Sequence, residues 1–282
     1  MKHEDLILEL AAWGFDEQPA RPVALTHRSH TSSMEVPPLC RGWDSRTALL
    51  EDIPVAVHQA LSSIANRDDL QQEFCDLEWR LGVVDLRLLV AFQRRLVLRD
   101  LDLEYGDITD WERRITLAFP PGRSSSFNRK FDRNSLTISS ENPDLTVRLN
   151  ELSDGAESID LRIHHGSPFM EVGCYRGRWF LRDGYHRAYH LLRAGVFEMP
   201  AVIVQARTLE ELGANRSWFF PEEILFGARP PLITDFLCAD LVVRWRRPAQ
   251  RKIVRITITE EFEPSRSEEG EGAEYEHCYQ TR

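Results

Sequence analysis

Residues 167–204 carry the strongest structural signal in the chain: SPFMEVGCYRGRWFLRDGYHRAYHLLRAGVFEMPAVIV. The β-rich runs PFMEVGCY and RWFLRD flank a turn of the composition Arg-Gly-Arg, which begins at Arg176. Residues 186–194 have a helical pattern that ends at Gly195, and glycine commonly follows the last turn of a helix. The run PAVIVQA then predicts a further strand. This succession of strands and one helix predicts an α+β fold.

The corner between RWFLRD and the helix contains the candidate binding residues. Asp183 is a preferred N-cap residue, and Gly184 permits a close approach of the backbone. The helix that follows presents N–H groups and a partial positive charge at its N-terminus, which favours an anion. His186 and Arg187 lie in the first turn, where acidic residues are normally preferred. An anion such as phosphate, bound between them, would offset that cost.

The surroundings of this corner are basic within an acidic protein. Residues 161–207 contain seven Arg and three acids, a balance of 7 − 3 = +4, whereas the whole chain has a net charge of −10. His186, His190 and Arg193 share one face of the helix by their i, i+4, i+7 spacing. The other face is apolar, with Ala188, Leu191 and Leu192. The pattern fits an anion-binding site, and it also fits an ordinary solvated helix face with an N-cap.

Three short strings resemble a known family: FLRDGYHRA from Phe180, LRAG from Leu192 and MPAVIV from Met199. Together with the upstream strand GSPFMEV, they are similar to the ParB/sulfiredoxin-like superfamily over about residues 145–207. The resemblance implies a small mixed sheet with helices, in which the D-G-x-H-R turn holds nucleotide phosphates. It further implies that Gly184, His186 and Arg187 meet the phosphate chain. Asp183 would orient the turn or a metal-bound water.

Departures from the family narrow the expected activity. Tyr185 stands where sulfiredoxins have their catalytic Cys and where partition proteins of the ParB group have a Glu. The segment after Val204 predicts one short helix and then WFFP, not a helix-turn-helix. Neither sulfiredoxin activity nor DNA partitioning is therefore expected. Another branch with this turn phosphorylates small hydroxyl substrates, and for such a reaction Glu171 is a candidate acid.

The resulting hypothesis is a protein that binds a phosphate-bearing ligand, a nucleotide in particular, at the turn of residues 183–187. Phosphoryl transfer or hydrolysis of a nucleoside triphosphate with Mg²⁺ is the corresponding activity. No resident metal site is predicted, because His186 and His190 lack a further spaced pair of ligands. The predicted phosphate- or nucleotide-binding residues are Arg182, Asp183, Gly184, Tyr185, His186, Arg187 and His190.

Two other function classes stay open. The first is a non-catalytic module that senses a ligand or binds a protein partner, the latter through the N-terminal region. The second is a protein that acts on nucleic acid. The nucleic acid would bind to a basic β-hairpin predicted at residues 241–258, where two β-rich runs flank RRPAQRK. Trp245 is a candidate for stacking on a base. The net charge of −10 argues against non-specific nucleic-acid binding.

The predicted organisation has three parts. Residues 1–110 are expected to be mainly helical, with RITLAF as the first strand of an α+β part at 111–259. Residues 260–282 hold eight Glu against two Arg, −8 + 2 = −6, and predict a disordered acidic tail that could fold back on the basic surface. The sequence also predicts a cytoplasmic protein without membrane spans. Its five cysteines are scattered without a CxxC pair, it has no signal-peptide pattern, and it contains no run of about 18 apolar residues.

Overall fold

The computed structural model describes residues 4–16, 47–98, 108, 110–121, 127–140, 145–151, 159–164 and 167–261. The strands are β1 Glu4–Leu10, β2 Trp79–Asp85, β3 Val90–Ala91, β4 Arg95–Leu98, β5 Asn128–Asp132, β6 Ser135–Ser140, β7 Thr146–Glu151, β8 Ile159–His164, β9 Glu171–Tyr175, β10 Arg178–Asp183, β11 Glu198–Gln205, β12 Val242–Pro248 and β13 Lys252–Thr257. The α-helices are α1 Val55–Ile64, α2 Asp68–Glu73, α3 Trp111–Ala118, α4 Tyr185–Arg193, α5 Leu209–Leu212 and α6 Glu222–Leu225. Short 3-10 helices lie at Ala11–Trp13, Leu86–Leu88 and Ile233–Leu237.

These elements confirm the mixed α+β class. The central sheet has the strand order β2–β11–β9–β10–β3. In it, β11 pairs antiparallel with β2 and parallel with β9, and β10 pairs antiparallel with β9 and parallel with β3. The other sheets of the described residues have the orders β12–β1–β4, β13–β6–β5 and β7–β8. The strand that leads into the candidate corner, β10, therefore has a neighbour on each side.

Local turn chemistry made the segment around this strand predictable. Arg176 and Gly177, at φ 49° and 75°, form the two-residue turn between β9 and β10, as predicted. Helix α4 ends before Gly195 at φ 77°, also as predicted. The Gly195 N–H donates to Leu192 and the Val196 N–H to Leu191, so these two carbonyls of the last turn are satisfied.

The first described residues of the region expected to be helical form a strand. Leu6, Ile7 and Leu10 lie on strand β1, which pairs with β12 on one side and β4 on the other. Both faces of this strand are largely covered, so its sequence lacks the simple alternation of a half-exposed strand. Glu9, on the same strand, is buried in an ion pair with Arg95. Its apolar residues therefore imitate the spacing of an amphipathic helix.

For the described residues of 1–110, the prediction of a mainly helical region was therefore wrong. Helices α1 and α2 are present, but β2, β3 and β4 occupy most of residues 79–98. Two of these strands, β2 and β3, complete the central sheet. Conversely, the predicted strand RITLAF belongs to helix α3. Asp110 begins that helix by accepting the N–H of Arg113 at 2.7 Å, a capping signal that overrides the β-propensity of the run.

The predicted basic hairpin at residues 241–258 does not form. Strand β12 pairs with β1, whereas β13 pairs with β6, so the two runs belong to different sheets. Trp245 is buried, and its indole N–H donates to Glu9 at 3.1 Å, which removes it as a stacking surface for bases. The run RRPAQRK thus comprises the end of β12, the link at residues 249–251 and the start of β13, and it joins two sheets without closing a hairpin.

The predicted domain boundaries at residues 110 and 259 stay predictions, as does a protein partner for the N-terminal region. The acidic residues 262–282 lie outside the described part of the chain. Within the part that is described, no helix has the length and apolar character needed to cross a membrane.

Candidate anion site at the 183–187 corner

The corner is built around a glycine in a left-handed conformation. Gly184 has φ 95° and ψ 21° and is the N-cap of α4, one residue later than predicted. The Asp183 carboxylate does not cap the helix from that position; it accepts the N–H of Gly184 at 2.5 Å. A Cβ on residue 184 would lie 2.4 Å from the sulfur of Met170. The backbone conformation and the packing therefore both require glycine here.

Arg187 points inward from the first turn of α4. Its Nη1 donates to the carbonyls of Leu117 at 3.1 Å and Pro168 at 2.5 Å, and its Nη2 donates to that of Phe169 at 2.6 Å. One guanidinium thus joins the end of α3 to the segment before β9. The sequence predicted that Arg187 meets a phosphate, whereas the structure places it as a clamp on three backbone carbonyls.

Tyr185 anchors the helix to the central sheet. Its hydroxyl accepts the N–H groups of Phe92 at 3.0 Å and Gln93 at 3.3 Å. The residue is buried, with its ring 5.9 Å from that of Phe92. Burial raises the pKa of the hydroxyl well above its usual value. Packing against the sheet, not stacking on a ligand base, is therefore the role of this side chain.

Arg182 and Glu171 form a buried pair beside the corner. Arg182 donates from Nη1 to Glu171 Oε2 at 3.0 Å and from Nε to the Leu212 carbonyl at 3.2 Å. Glu171 is 5% exposed, and its Oε1 has no hydrogen-bond partner. Burial raises the pKa of the Glu171 carboxyl, and the nearby Arg182 charge offsets only part of that effect. The two opposite charges neutralise each other, because the Arg182 guanidinium is directed at the Glu171 carboxylate inside the protein.

The buried charge of Glu171 gives a pH-dependent prediction. The pKa of this carboxyl is higher in the folded state than the ordinary value of 4.5, so the unfolded chain loses the proton at lower pH. The free energy of unfolding therefore falls as pH rises from 4.5 through the folded-state pKa. We expect Glu171→Gln to gain stability relative to the wild type as pH rises through this range. Urea denaturation from pH 4.5 to 8 measures the difference. The exposed Glu223→Gln is the control, and a stability difference between Glu171→Gln and the wild type that is flat or falls with pH would contradict the prediction.

The predicted polar face of the helix is partly accessible, with His186 and Arg193 exposed and His190 half-buried. His186 is exposed, and its Nε2 lies 2.6 Å from the Val97 carbonyl. A carbonyl only accepts, so Nε2 carries the proton of this bond and Nδ1 is protonated only in the imidazolium form. His190 is half-buried with its ring 5.5 Å from that of Tyr189, and Arg193 is exposed. The predicted common face of these residues agrees with this pattern of exposure.

The described residues around the corner indicate neither a metal site nor a reactive thiol. Within the described residues, no group of three His, Cys, Asp or Glu side chains is arranged to hold a metal ion. Cys174 lies on β9, and burial raises the pKa of its thiol, so the reactive thiolate is disfavoured. Sequence reasoning missed the clamp of Arg187 and the anchor of Tyr185, because their partners lie in segments distant along the chain.

Comparison with known proteins gives no match to a protein-family model, a curated protein or a solved structure. The ParB/sulfiredoxin-like resemblance of residues 145–207 therefore stays a prediction.

Proposed function

We propose that the chain binds a phosphate-bearing ligand, a nucleotide in particular, on the surface of the 183–187 corner. The observation that carries this proposal is the exposed imidazole of His186 at the first turn of a nine-residue helix. The N-terminus of a helix of this length favours negative charge through its first-turn amides and its dipole. An imidazolium beside those amides adds a cationic donor for phosphate oxygens.

The buried contacts of the corner support the proposal indirectly. Tyr185 fixes the first residue of α4 to the chain just after β3, and Arg187 fixes the third to Leu117, Pro168 and Phe169. Donors that are already held in place lose little conformational entropy when a ligand binds. In this proposal Tyr185, Arg182 and Arg187 are positioning residues. The ligand meets the helix backbone and His186.

A catalytic form of the proposal requires an acidic group near the ligand. Asp183 is half-exposed at the end of β10, directly before the helix. In the catalytic form of the proposal, this carboxylate orients the Mg²⁺ that arrives with a nucleoside triphosphate. Glu171 is buried and ion-paired, which makes it a poor general base for a substrate hydroxyl. Phosphoryl transfer or hydrolysis is the reaction class that such a complex supports.

A second candidate is a ligand sensor without catalysis. Its specific support is the engagement of two arginines of the turn with protein groups: Arg182 with Glu171, and Arg187 with three carbonyls. Phosphoryl transfer relies on positive charge around the transferred group, and these two guanidinium groups are directed elsewhere. Binding and turnover therefore need separate measurements.

His186→Ala tests the binding proposal. We expect ATP or CTP with Mg²⁺ to raise the melting temperature of the wild type, with a stabilisation of about 2.7 kcal/mol at 100 times Kd. His186→Ala should lose most of this nucleotide-induced shift, whatever its own melting temperature. Arg193→Ala, on the same exposed face but at the far end of α4, should keep it.

Two outcomes would overturn the binding proposal: no nucleotide-induced shift in the wild type, or equal shifts in the two variants. If binding is present, release of inorganic phosphate over time distinguishes the enzyme from the sensor.

A further inference from the structure

The three-stranded sheet β13–β6–β5 has a polar, basic outer face. Lys130 on β5 and Arg255 on β13 both pair with Thr137 of the central strand, so the three side chains form one row across the sheet. In the next row of the same face, Asp132 and Thr257 flank Ser135. The alternation of side chains along the strands thus places two cations on the same face, one on each side of Thr137.

This face forms a groove of about 530 Å³. Its lining residues are charged or polar: Lys130, Asp132, Arg133, Asn134, Ser135, Thr137, Arg255 and Thr257. Three cations against one carboxylate give 3 − 1 = +2. That carboxylate, on Asp132, already accepts the backbone N–H of Arg133 at 3.0 Å. The groove is therefore suited to an anionic partner with several charges.

The cations of the groove are available to such a partner. Lys130, Arg133 and Arg255 are exposed, and none of them forms an ion pair with another residue in the described ranges. Several other arginines of the fold do have such partners, for example Arg95 with Glu9 and Arg229 with Asp235. Unlike Arg95 and Arg229, the three cations of the groove do not take part in an ion pair within the described residues.

The chain itself supplies a complementary segment at the edge of this groove. Strand β13 ends at Thr257, which lines the groove, and the Ile258 N–H donates to the Asn134 carbonyl at 2.8 Å. The acidic sequence therefore leaves the sheet beside Asn134. Residues 262–282 contain six Glu and two Arg, −6 + 2 = −4. A segment tethered this closely has a high effective concentration at the groove, in the millimolar range for short flexible links.

We propose that the groove on the β13–β6–β5 sheet is a binding surface for acidic peptides and that residues 262–282 of the same chain occupy it. The partner is recognised by carboxylates that pair with Lys130, Arg133 and Arg255, while the hydroxyls of Ser135, Thr137 and Thr257 donate to it. Occupation in cis shields this surface from other polyanions. Nucleic acid fits less well, because the groove has no aromatic side chain for base stacking and the net charge of the protein is −10.

Zero-length carbodiimide cross-linking of the full chain tests the proposal, because it joins an amine to a carboxylate in direct contact. The sequence has three lysines: Lys2, Lys130 and Lys252. Lys252 is on β13 like Arg255, but three residues away, so it projects from the opposite face and is an internal control. By mass spectrometry we expect glutamates of residues 262–282 to link mainly to Lys130. The yield should fall several-fold from about 0.01 M to 1 M salt.

Arg255→Glu should reduce the Lys130 cross-link several-fold, and Arg113→Glu, an exposed arginine on α3, should leave it unchanged. Equal cross-linking to Lys130 and Lys252 would overturn the proposal. So would a yield of the Lys130 cross-link that does not change with salt concentration or with Arg255→Glu. So would cross-links found only between two copies of the chain. A fluorescent oligo(dT) that binds the full chain, binds several-fold less to Arg255→Glu, and binds no better to Glu268→Gln/Glu269→Gln would assign the groove to nucleic acid instead.

Discussion

Arg187→Ala is expected to lower the free energy of unfolding by about 3–5 kcal/mol, with a fall of about 10 °C in the melting temperature. The substitution removes a charged donor from three backbone carbonyls, those of Leu117, Pro168 and Phe169. Hydrogen bonds from charged groups contribute about 1.5–3 kcal/mol each, and part of that sum is lost when the contacts are not independent. Urea denaturation of the free protein measures the effect.

Two variants separate the clamp from a general effect of charge. Arg187→Lys keeps the positive charge, but a single ammonium cannot reproduce the planar fork that reaches three acceptors, so it should recover less than half of the loss. Arg193→Ala removes an exposed arginine from the last turn of the same helix and should cost about 0.5 kcal/mol or less. An Arg187→Ala variant as stable as Arg193→Ala would refute the structural role of this guanidinium.

The contrast between Arg187 and Gly195 shows what the sequence can predict at this site. Gly195 ends a helix through dihedral angles and hydrogen bonds within a few residues, and the prediction of that end is confirmed. The direction of Arg187 depends on Leu117, 70 residues earlier in the chain. Position in a first helical turn shows that a cation is close to the helix amides. It does not show whether the side chain turns toward solvent or toward carbonyls of another segment.

The same distinction explains the errors in the fold. The turn at Arg176 and helix α4 follow from local propensity, and both were predictable. Strand β1 owes its conformation to pairing with β12, more than 230 residues away, and to β4. The sequence RRPAQRK has the composition of a hairpin turn, but strand β12 pairs with β1 and strand β13 pairs with β6. Tertiary pairing thus overrides the local β-hairpin signal.

Gly184→Ala is the other substitution with a large expected effect, a loss of about 3 kcal/mol in the free energy of unfolding. Alanine in the left-handed region costs about 1–2 kcal/mol. The remainder comes from the new Cβ, which would lie 2.4 Å from the sulfur of Met170. Met170 is fully buried, so its side chain has little room to move away. Thermal and urea denaturation of the free protein measure the loss.

Gly195→Ala is the matched control, because Gly195 has φ 77° at the other end of the same helix and a Cβ there would meet no atom within 4 Å. This variant should lose only the backbone part, about 1 kcal/mol. If the excess loss at Gly184 comes from the clash, Met170→Ala should remove it. The loss for the double variant Met170→Ala/Gly184→Ala should then be smaller than the sum of the single losses by about 1–2 kcal/mol. Strict additivity would mean that the excess loss does not come from Met170. Equal losses at the two glycines would mean that the corner tolerates a side chain. The close packing that holds the first turn of α4 in place for a ligand would then be absent.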